Sequence, residues 1–468
     1  MKTKFSRRGF LAQTASVGAL SVAAGVRGAA GAQIYMDPPT PNLDFKTAPH
    51  QSTPVNDDAH VDQEYRGFLK KNMSDLPTPA LLIDLDIFEH NLQALATFMK
   101  GKATTFRPHG KAHKSSAIGK MQLASGAKGL CAAKLGEADV LIRGGIKDVL
   151  ITAEVVGTLK IKRLMELLAI TPDVKVVVDN EQNAIDLSAA ALAAKKKLKV
   201  LIDVNVGQNR TGVEPADAEK LAQVIAKQKG LELLGLQGYG GNNQHVVGFD
   251  ARKEQEVASN AKVIAARQAI EKAGFALQIV SVGGTGSYNI DADYPGVTEI
   301  QPGSYIFMDS HYNKIGGKTD QGNAFTDFGN SLSVLTTVIS RAVGINPAAA
   351  AGRAAAPGGR AGGGRASADP RPVVGRAVVD AGIKSLSNDE SAPEPLNMSG
   401  VTYGGSGDEY GALSFREQAA ADKIRVGDKV QVTPGHCDTT VNLYNVYFGV
   451  RKGIVEHVWP IEGRGRTD

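Results

Sequence analysis

Lys111 stands inside Phe106-Arg-Pro-His-Gly-Lys-Ala-His-Lys114, a run that sets three cations and two histidines in nine residues. The run continues from a short stretch with strand character, so Lys111 falls where that strand should end. A lysine amine in such a place can condense with an aldehyde and hold it as a Schiff base. Lysine and arginine are also common solvated surface residues, so the reading depends on what else converges on Lys111. Two further clusters carry chemistry. Gly283-Gly-Thr-Gly-Ser287 offers backbone N–H groups and hydroxyls, which is what a phosphate needs. Pro434-Gly-His-Cys-Asp-Thr-Thr440 carries an imidazole and a carboxylate two residues apart. If that segment is extended, His436 and Asp438 point to one side and Cys437 to the other. Such a pair suits a divalent ion (Mn²⁺, Mg²⁺ or Zn²⁺), with water or substrate filling the remaining positions.

These residues need elements to bring them together. Between 76 and about 309, short apolar runs alternate with helical patterns. The spacing predicts strands at 105–109, 129–133, 148–152, 174–178, 199–204, 231–237, 279–282 and 299–301, with helices such as 87–99, 159–169, 181–194, 215–229 and 253–273. Eight apolar strands, most of them separated by a helix, make an α/β chain with a closed parallel (β/α)8 barrel, in which reactive groups gather at the carboxyl ends of the strands. Those ends carry Lys111, Arg210, Tyr239 with His245, the Gly283–Ser287 turn, and Tyr305. A lysine facing a phosphate loop across a barrel mouth describes a pocket for a phosphorylated aldehyde, pyridoxal phosphate. After about 309 the helices give way to strand-like runs at 331–343, 373–380, 429–432, 441–450 and 453–459, which predict a mainly antiparallel β domain joined by a first strand near Leu81.

The expected boundaries are a barrel at 76–310 and a β domain at 311–468, the latter interrupted by an Ala/Gly/Arg tract at 346–370 that cannot form a core. Residues 1–32 read as a twin-arginine export signal: Ser6-Arg-Arg-Gly-Phe-Leu11, a mild apolar run, then Ala30-Gly-Ala32. This predicts passage through the twin-arginine machinery and a periplasmic or secreted product. Residues 33–75 read as an extended arm. A net charge of +5, without a basic stripe, argues against a nucleic-acid partner. Cys131 and Cys437 form no CxxC pair, so neither a disulfide scaffold nor a zinc knuckle is expected.

In this order the motifs resemble the fold-type III pyridoxal-phosphate family, whose barrel is similar to the alanine racemase N-terminal domain, and within it the D-threonine aldolase and D-serine dehydratase branch. The resemblance runs from about Leu76 to Gly463 and rests on Arg-Pro-His-x-Lys-x-His-Lys, Gly-Gly-Thr-Gly, Asp380-Ala-Gly-Ile-Lys384 and Pro-Gly-His-Cys-Asp. It implies Lys111 as the cofactor lysine, Arg210 near the cofactor's phenolic oxygen, Tyr239 at its face or ring edge, Gly284, Thr285, Gly286 and Ser287 around the phosphate, Tyr305 beside the cofactor, and His436 with Asp438 on the metal. Asp438 stands where the dehydratases tend to carry Cys, which favours the aldolase. The chain departs from the pattern at Asp408-Glu-Tyr-Gly411, where Glu-His-Gly is expected, and at Gly240-Gly241, where His-Gly is expected. The implied reaction is cleavage of a D-β-hydroxy-α-amino acid to glycine and an aldehyde by a homodimer or monomer, with His245 as candidate base and His109, His113, Arg107 and Lys114 supporting Lys111. The rival use of the same parts is dehydration of D-serine or D-3-hydroxyaspartate.

Overall fold

The computed structural model describes residues 63–319, 324–342 and 371–468. The candidate export signal at 1–32 and the tract at 346–370 lie outside the described residues. Strand β1 (Ala80–Asp84) does not enter the barrel. It is followed by helix α1 (Leu85–Met99), which starts where the Asp84 side chain accepts the Ile87 N–H.

The barrel strands are β2 (Thr105–Phe106), β3 (Leu130–Ala132), β4 (Val149–Ile151), β5 (Val174–Val178), β6 (Leu198–Asp203), β7 (Leu231–Gly238), β8 (Ile279–Val282) and β9 (Glu299–Ile300). They form one parallel eight-stranded sheet in the order β2-β9-β8-β7-β6-β5-β4-β3. A parallel bridge between His109 and Cys131 brings its two ends together. The expected barrel is therefore present, with most strand limits shifted by a residue or so. β5 is a wholly buried Val-Lys-Val-Val-Val run, as a strand covered on both faces requires. Cys131, Leu150, Val177, Leu201, Leu234 and Ile279, from β3 to β8, form a buried cluster of their own. The barrel also holds charge: buried Arg107 donates to Asp148 at 2.6 Å and to Glu299 at 3.0 Å, and Lys175 donates to Asp148 at 2.6 Å.

The second sheet is mixed and mostly antiparallel. Its strands are β1, β10 (Leu332–Ala342), β11 (Gly375–Val379), β12 (Glu394–Pro395), β13 (Val401–Gly405), β14 (Gly411–Phe415), β15 (Lys429–Thr433), β16 (Val446–Arg451) and β17 (Ile454–Pro460). β1 lies between β10, antiparallel, and β16, parallel. This is the sharing expected near Leu81. Three differences from the sequence reading stand out. Strands β12 to β14 were not anticipated. The run expected as a strand over 441–450 begins only at Val446, because Cys437–Val441 is a short helix. The described part of the expected arm, 63–75, is not extended: it forms the helix Gln63–Arg66 and a 3₁₀ turn at Met73–Asp75, and lies against β17 through Lys70 N–Val455 O and Met73 N–Gly453 O bonds of 2.8 Å.

Candidate active site

Lys111 sits in a 3₁₀ turn, Gly110–Ala112, immediately after the bridge that joins the barrel's ends. The turn is held from several sides. His109 Nδ1 accepts the Lys111 N–H at 3.4 Å and its Nε2 lies 3.1 Å from the Thr152 hydroxyl, which fixes the proton on Nε2. Burial, and then the Lys111 ammonium, push the His109 pKa well below its ordinary value, so the ring is neutral. His113 Nδ1 accepts the Ser115 N–H, and its Nε2 donates to Gln122 Oε1 at 3.1 Å. Burial pushes His113 down to about 4. From Gln122 the chain of bonds continues to the Tyr305 hydroxyl at 3.2 Å, and the Tyr305 N–H donates to Thr285 Oγ1 at 3.1 Å. Lysine turn and Gly-rich turn are thus tied by one relay. Tyr447 of β16 adds a 2.6 Å bond to the His113 carbonyl, and Lys114 pairs with Glu137 at 2.7 Å. His109 and His113 brace the turn and Lys114 pairs beside it with Glu137, whereas Arg107 turns into the barrel to Asp148 and Glu299.

The Lys111 amine lies 2.9 Å from Asp438 Oδ2. It is deep in the fold yet 41% of its side chain is accessible, because it borders a cavity of about 430 Å³. The Asp438 carboxylate, against the opposing effect of burial, raises the Lys111 pKa above its ordinary value. For Asp438, burial alone would raise the pKa, but Lys111 and then His436 outweigh it and hold the carboxyl well below its usual range. The other cavity walls include Arg210, Tyr239, Gly284, Thr285, Gly303, Ser304 and Tyr312. Arg210 stacks over the Tyr239 ring at 5.5 Å.

Of the Gly-rich turn, Gly284 and Thr285 face the cavity, whereas Gly286 and Ser287 face the protein. The Gly286 N–H is taken by Gln244 Oε1 at 3.0 Å, and Ser287 donates to Asp291 at 2.5 Å while accepting from Gln244 at 2.8 Å. A Cβ on Gly286 would stand 2.0 Å from the Gln244 carbonyl, so that close approach needs glycine. Tyr305 is fully buried and acts in the relay rather than as a cavity wall.

His436 and Asp438 do not share one face of a strand. His436 is the extended residue that opens the helix Cys437–Val441, and Asp438 lies in its first turn. The cause is distant in sequence: buried Asp309 accepts the Cys437 N–H at 2.9 Å, and also those of His311 and Tyr312. Replacing Asp309 with Ala should leave three buried N–H groups unpaired and cost on the order of 3 kcal/mol. Urea unfolding would read this. His245 stacks on His311, with ring centroids 4.2 Å apart, and packs at 4.5 Å against Tyr312, which separates it from the cavity. Burial, then His311, His436 and Lys111, push His245 down to about 3, so it is unprotonated at neutral pH.

The sequence reading missed the acids beyond β4 and β6. Glu154 lines the cavity with Oε1 buried and unpaired by any hydrogen bond, next to Asp203, which is held by Gln237 at 2.9 Å and Thr211 at 2.8 Å. Burial, and then Asp203, push Glu154 up to about 7. The signal was available, since Asp203 ends β6 and Glu154 lies just beyond β4. An acid that binds its proton more tightly folded than unfolded loses stability as pH rises from its unfolded value, about 4.3, through the folded one. The melting temperature of the cofactor-free protein should therefore fall from pH 5 to pH 8, and fall less in Glu154→Gln. Equal slopes would remove the assignment.

The cavity fits a phosphorylated aldehyde. It offers an amine at one wall and, at another, a threonine whose oxygen already accepts from Tyr305 and whose hydroxyl proton remains to donate. Gly303 keeps the wall thin, as a Cβ there would come 3.2 Å from that of His109. Lys111 would hold the aldehyde, with Gly284, Thr285 and Ser304 nearest the phosphate. Among the described residues there is no group of three or more His, Cys, Asp or Glu that could hold a metal ion; of the expected pair, Asp438 lies 2.9 Å from the Lys111 amine and His436 Nδ1 lies 3.1 Å from Asp389, so a divalent ion could take its protein ligands only from the free nitrogen of His436 and from Asp438.

A barrel with a lysine at one strand end and a phosphate-type turn at another defines a class of aldehyde-cofactor enzymes. The alanine racemase N-terminal domain profile matches residues 83–311, and that of a serine dehydratase domain matches 367–450. The chain is 37% identical to the 3-hydroxy-D-aspartate aldolase of Paracoccus denitrificans (strain Pd 1222), over 84% of this chain and 93% of the relative. It is 35% identical to the D-threonine aldolase of an Arthrobacter species, over 83% and 93%. The crystal structure of the D-threonine aldolase from Filomicrobium marinum superimposes with a TM-score of 0.76 at 35% identity, covering 86% of this chain and 99% of that one. The chain belongs to the fold-type III pyridoxal-phosphate family with the alanine racemase barrel, in its D-threonine aldolase and D-serine dehydratase-like branch.

Proposed function

We propose that the protein is a lyase that cleaves D-β-hydroxy-α-amino acids such as D-threonine to glycine and an aldehyde, using pyridoxal phosphate and a divalent ion, Mn²⁺ first. The observation that carries this reading is the Lys111 amine, on the wall of a cavity that Gly284 and Thr285 also line and 2.9 Å from Asp438. The aldolase names of the relatives support it. Pyridoxal phosphate supplies the sink for the electrons of the breaking Cα–Cβ bond, and the ion supplies charge that lowers the pKa of the β-hydroxyl. The chain's residues do the rest. Lys111 provides the amine that is exchanged for the substrate's. Asp438 balances the charge beside it, and with His436 places the hydroxyl end of the substrate. Arg210 and Tyr239 would form the wall of the cavity beside the cofactor ring. His245, which stacks on His311 and packs against the cavity-lining Tyr312, is the candidate acceptor of the β-hydroxyl proton, directly or through water.

Incubating purified protein with D-threonine, D-serine and D-3-hydroxyaspartate, with and without Mn²⁺, tests the reading. Glycine plus aldehyde supports it; keto acid plus ammonia would make the protein a dehydratase instead. The paired arginines Arg7 and Arg8 support export through the twin-arginine machinery to the periplasm, which fractionation of an Arg7→Lys, Arg8→Lys variant would check.

A further inference from the structure

We propose that Asp389 is a positioning residue for the divalent ion: it accepts a hydrogen bond from the Nδ1–H of His436 and so presents Nε2 of that ring as the ligating atom. The inference rests on the metal reading above but concerns a residue outside the Pro434–Thr440 segment. Asp389 lies between β11 and β12, and its Oδ2 is 3.1 Å from His436 Nδ1. A neutral imidazole has one N–H and one lone pair, and a carboxylate at Nδ1 settles which nitrogen has which. The lone pair is then on Nε2, and the bond also fixes the ring's rotation.

Asp389 is itself held. Its Oδ1 accepts from the Ser387 hydroxyl and lies 3.2 Å from Thr439 Oγ1, inside the helix that carries Asp438. Ser387 is stitched to the same segment: its carbonyl accepts the Gly435 N–H at 3.0 Å, its N–H donates to Thr440 Oγ1 at 3.1 Å, and its hydroxyl is 2.7 Å from Thr439. A Cβ on Gly435 would stand 2.0 Å from the Ser391 carbonyl, so the two segments meet in direct backbone contact. The carboxylate that orients His436 is therefore fixed to the element that positions Asp438. An isolated surface pair would have none of this support.

The test is calorimetric titration of Mn²⁺ into the cofactor-loaded full chain, with melting temperature and cofactor absorbance recorded for each variant. Asp389→Ala should raise the Kd about 10- to 100-fold, the usual cost of losing such a partner. Its melting temperature and absorbance should match the wild type. Asp389→Asn, near-isosteric and still able to accept the Nδ1 proton in a hydrogen bond, should lose less. His436→Ala should abolish binding. If binding needs His436 yet stays within twofold of wild type in both Asp389 variants, the proposal is overturned and the metal reading stands. If the wild type binds no Mn²⁺, the metal reading falls and takes the proposal with it.

Discussion

Replacing Lys111 with Ala should give a folded protein without the visible absorbance of lysine-linked pyridoxal phosphate and without measurable cleavage of D-threonine. The expected loss in rate is on the order of 10⁴-fold or more, as for other groups that bond to the reacting centre. The fold should survive because the side chain borders a cavity rather than the core. In the variant Asp438 keeps His436 close by, but without the ammonium its carboxyl should return toward the ordinary range. Persistence of the absorbance band would sink the assignment of Lys111. Loss of the band with normal cleavage would sink the use of the cofactor.

Removing the divalent ion should act differently. Chelation should suppress glycine formation from D-threonine by about 10²- to 10³-fold, the several kcal/mol that a Lewis acid contributes to a developing alkoxide. Added Mn²⁺ should restore it. Asp438→Asn should give a similar loss that Mn²⁺ does not restore. The cofactor band should remain in both cases, since Asp438 raises the proton affinity of Lys111 and its loss frees the amine for the aldehyde. Full activity in chelator would contradict the metal role. Loss of the band in Asp438→Asn would mean that the carboxylate serves the lysine rather than an ion.

The barrel was legible because buried parallel strands leave largely apolar, β-branched runs such as Val174–Val178, and because the Gly-rich turn follows one, Ile279–Val282. What stayed hidden depends on contacts between distant residues. No local feature tells that Asp309 will take the Cys437 N–H and wind residues 437–441 into a helix. Gly286 and Ser287 read as phosphate contacts until Gln244 is seen bonded to both. Strands β13 and β14, with Gly404, Gly405 and Gly411, lack the apolar density that marked the barrel. Glu154 and Asp203 stand at strand ends like the cations, but only burial and their proximity to each other, which are tertiary facts, set them apart from ordinary surface acids.

Strand β1 has a consequence for synthesis. It is among the earliest ordered segments to leave the ribosome, yet its two neighbours are β10 and β16, the latter close to the carboxyl terminus. Until β16 emerges, one edge of β1 has no ladder, and the cluster around Leu82 lacks Val446, Phe448, Val450, Val455 and Val458, keeping only Ala80, Leu335 of β10 and residues of the segment before β1. A nascent chain stalled before Val446 should therefore stay protease-sensitive at 80–84 even with its barrel strands complete. The last strands made are those that close the first.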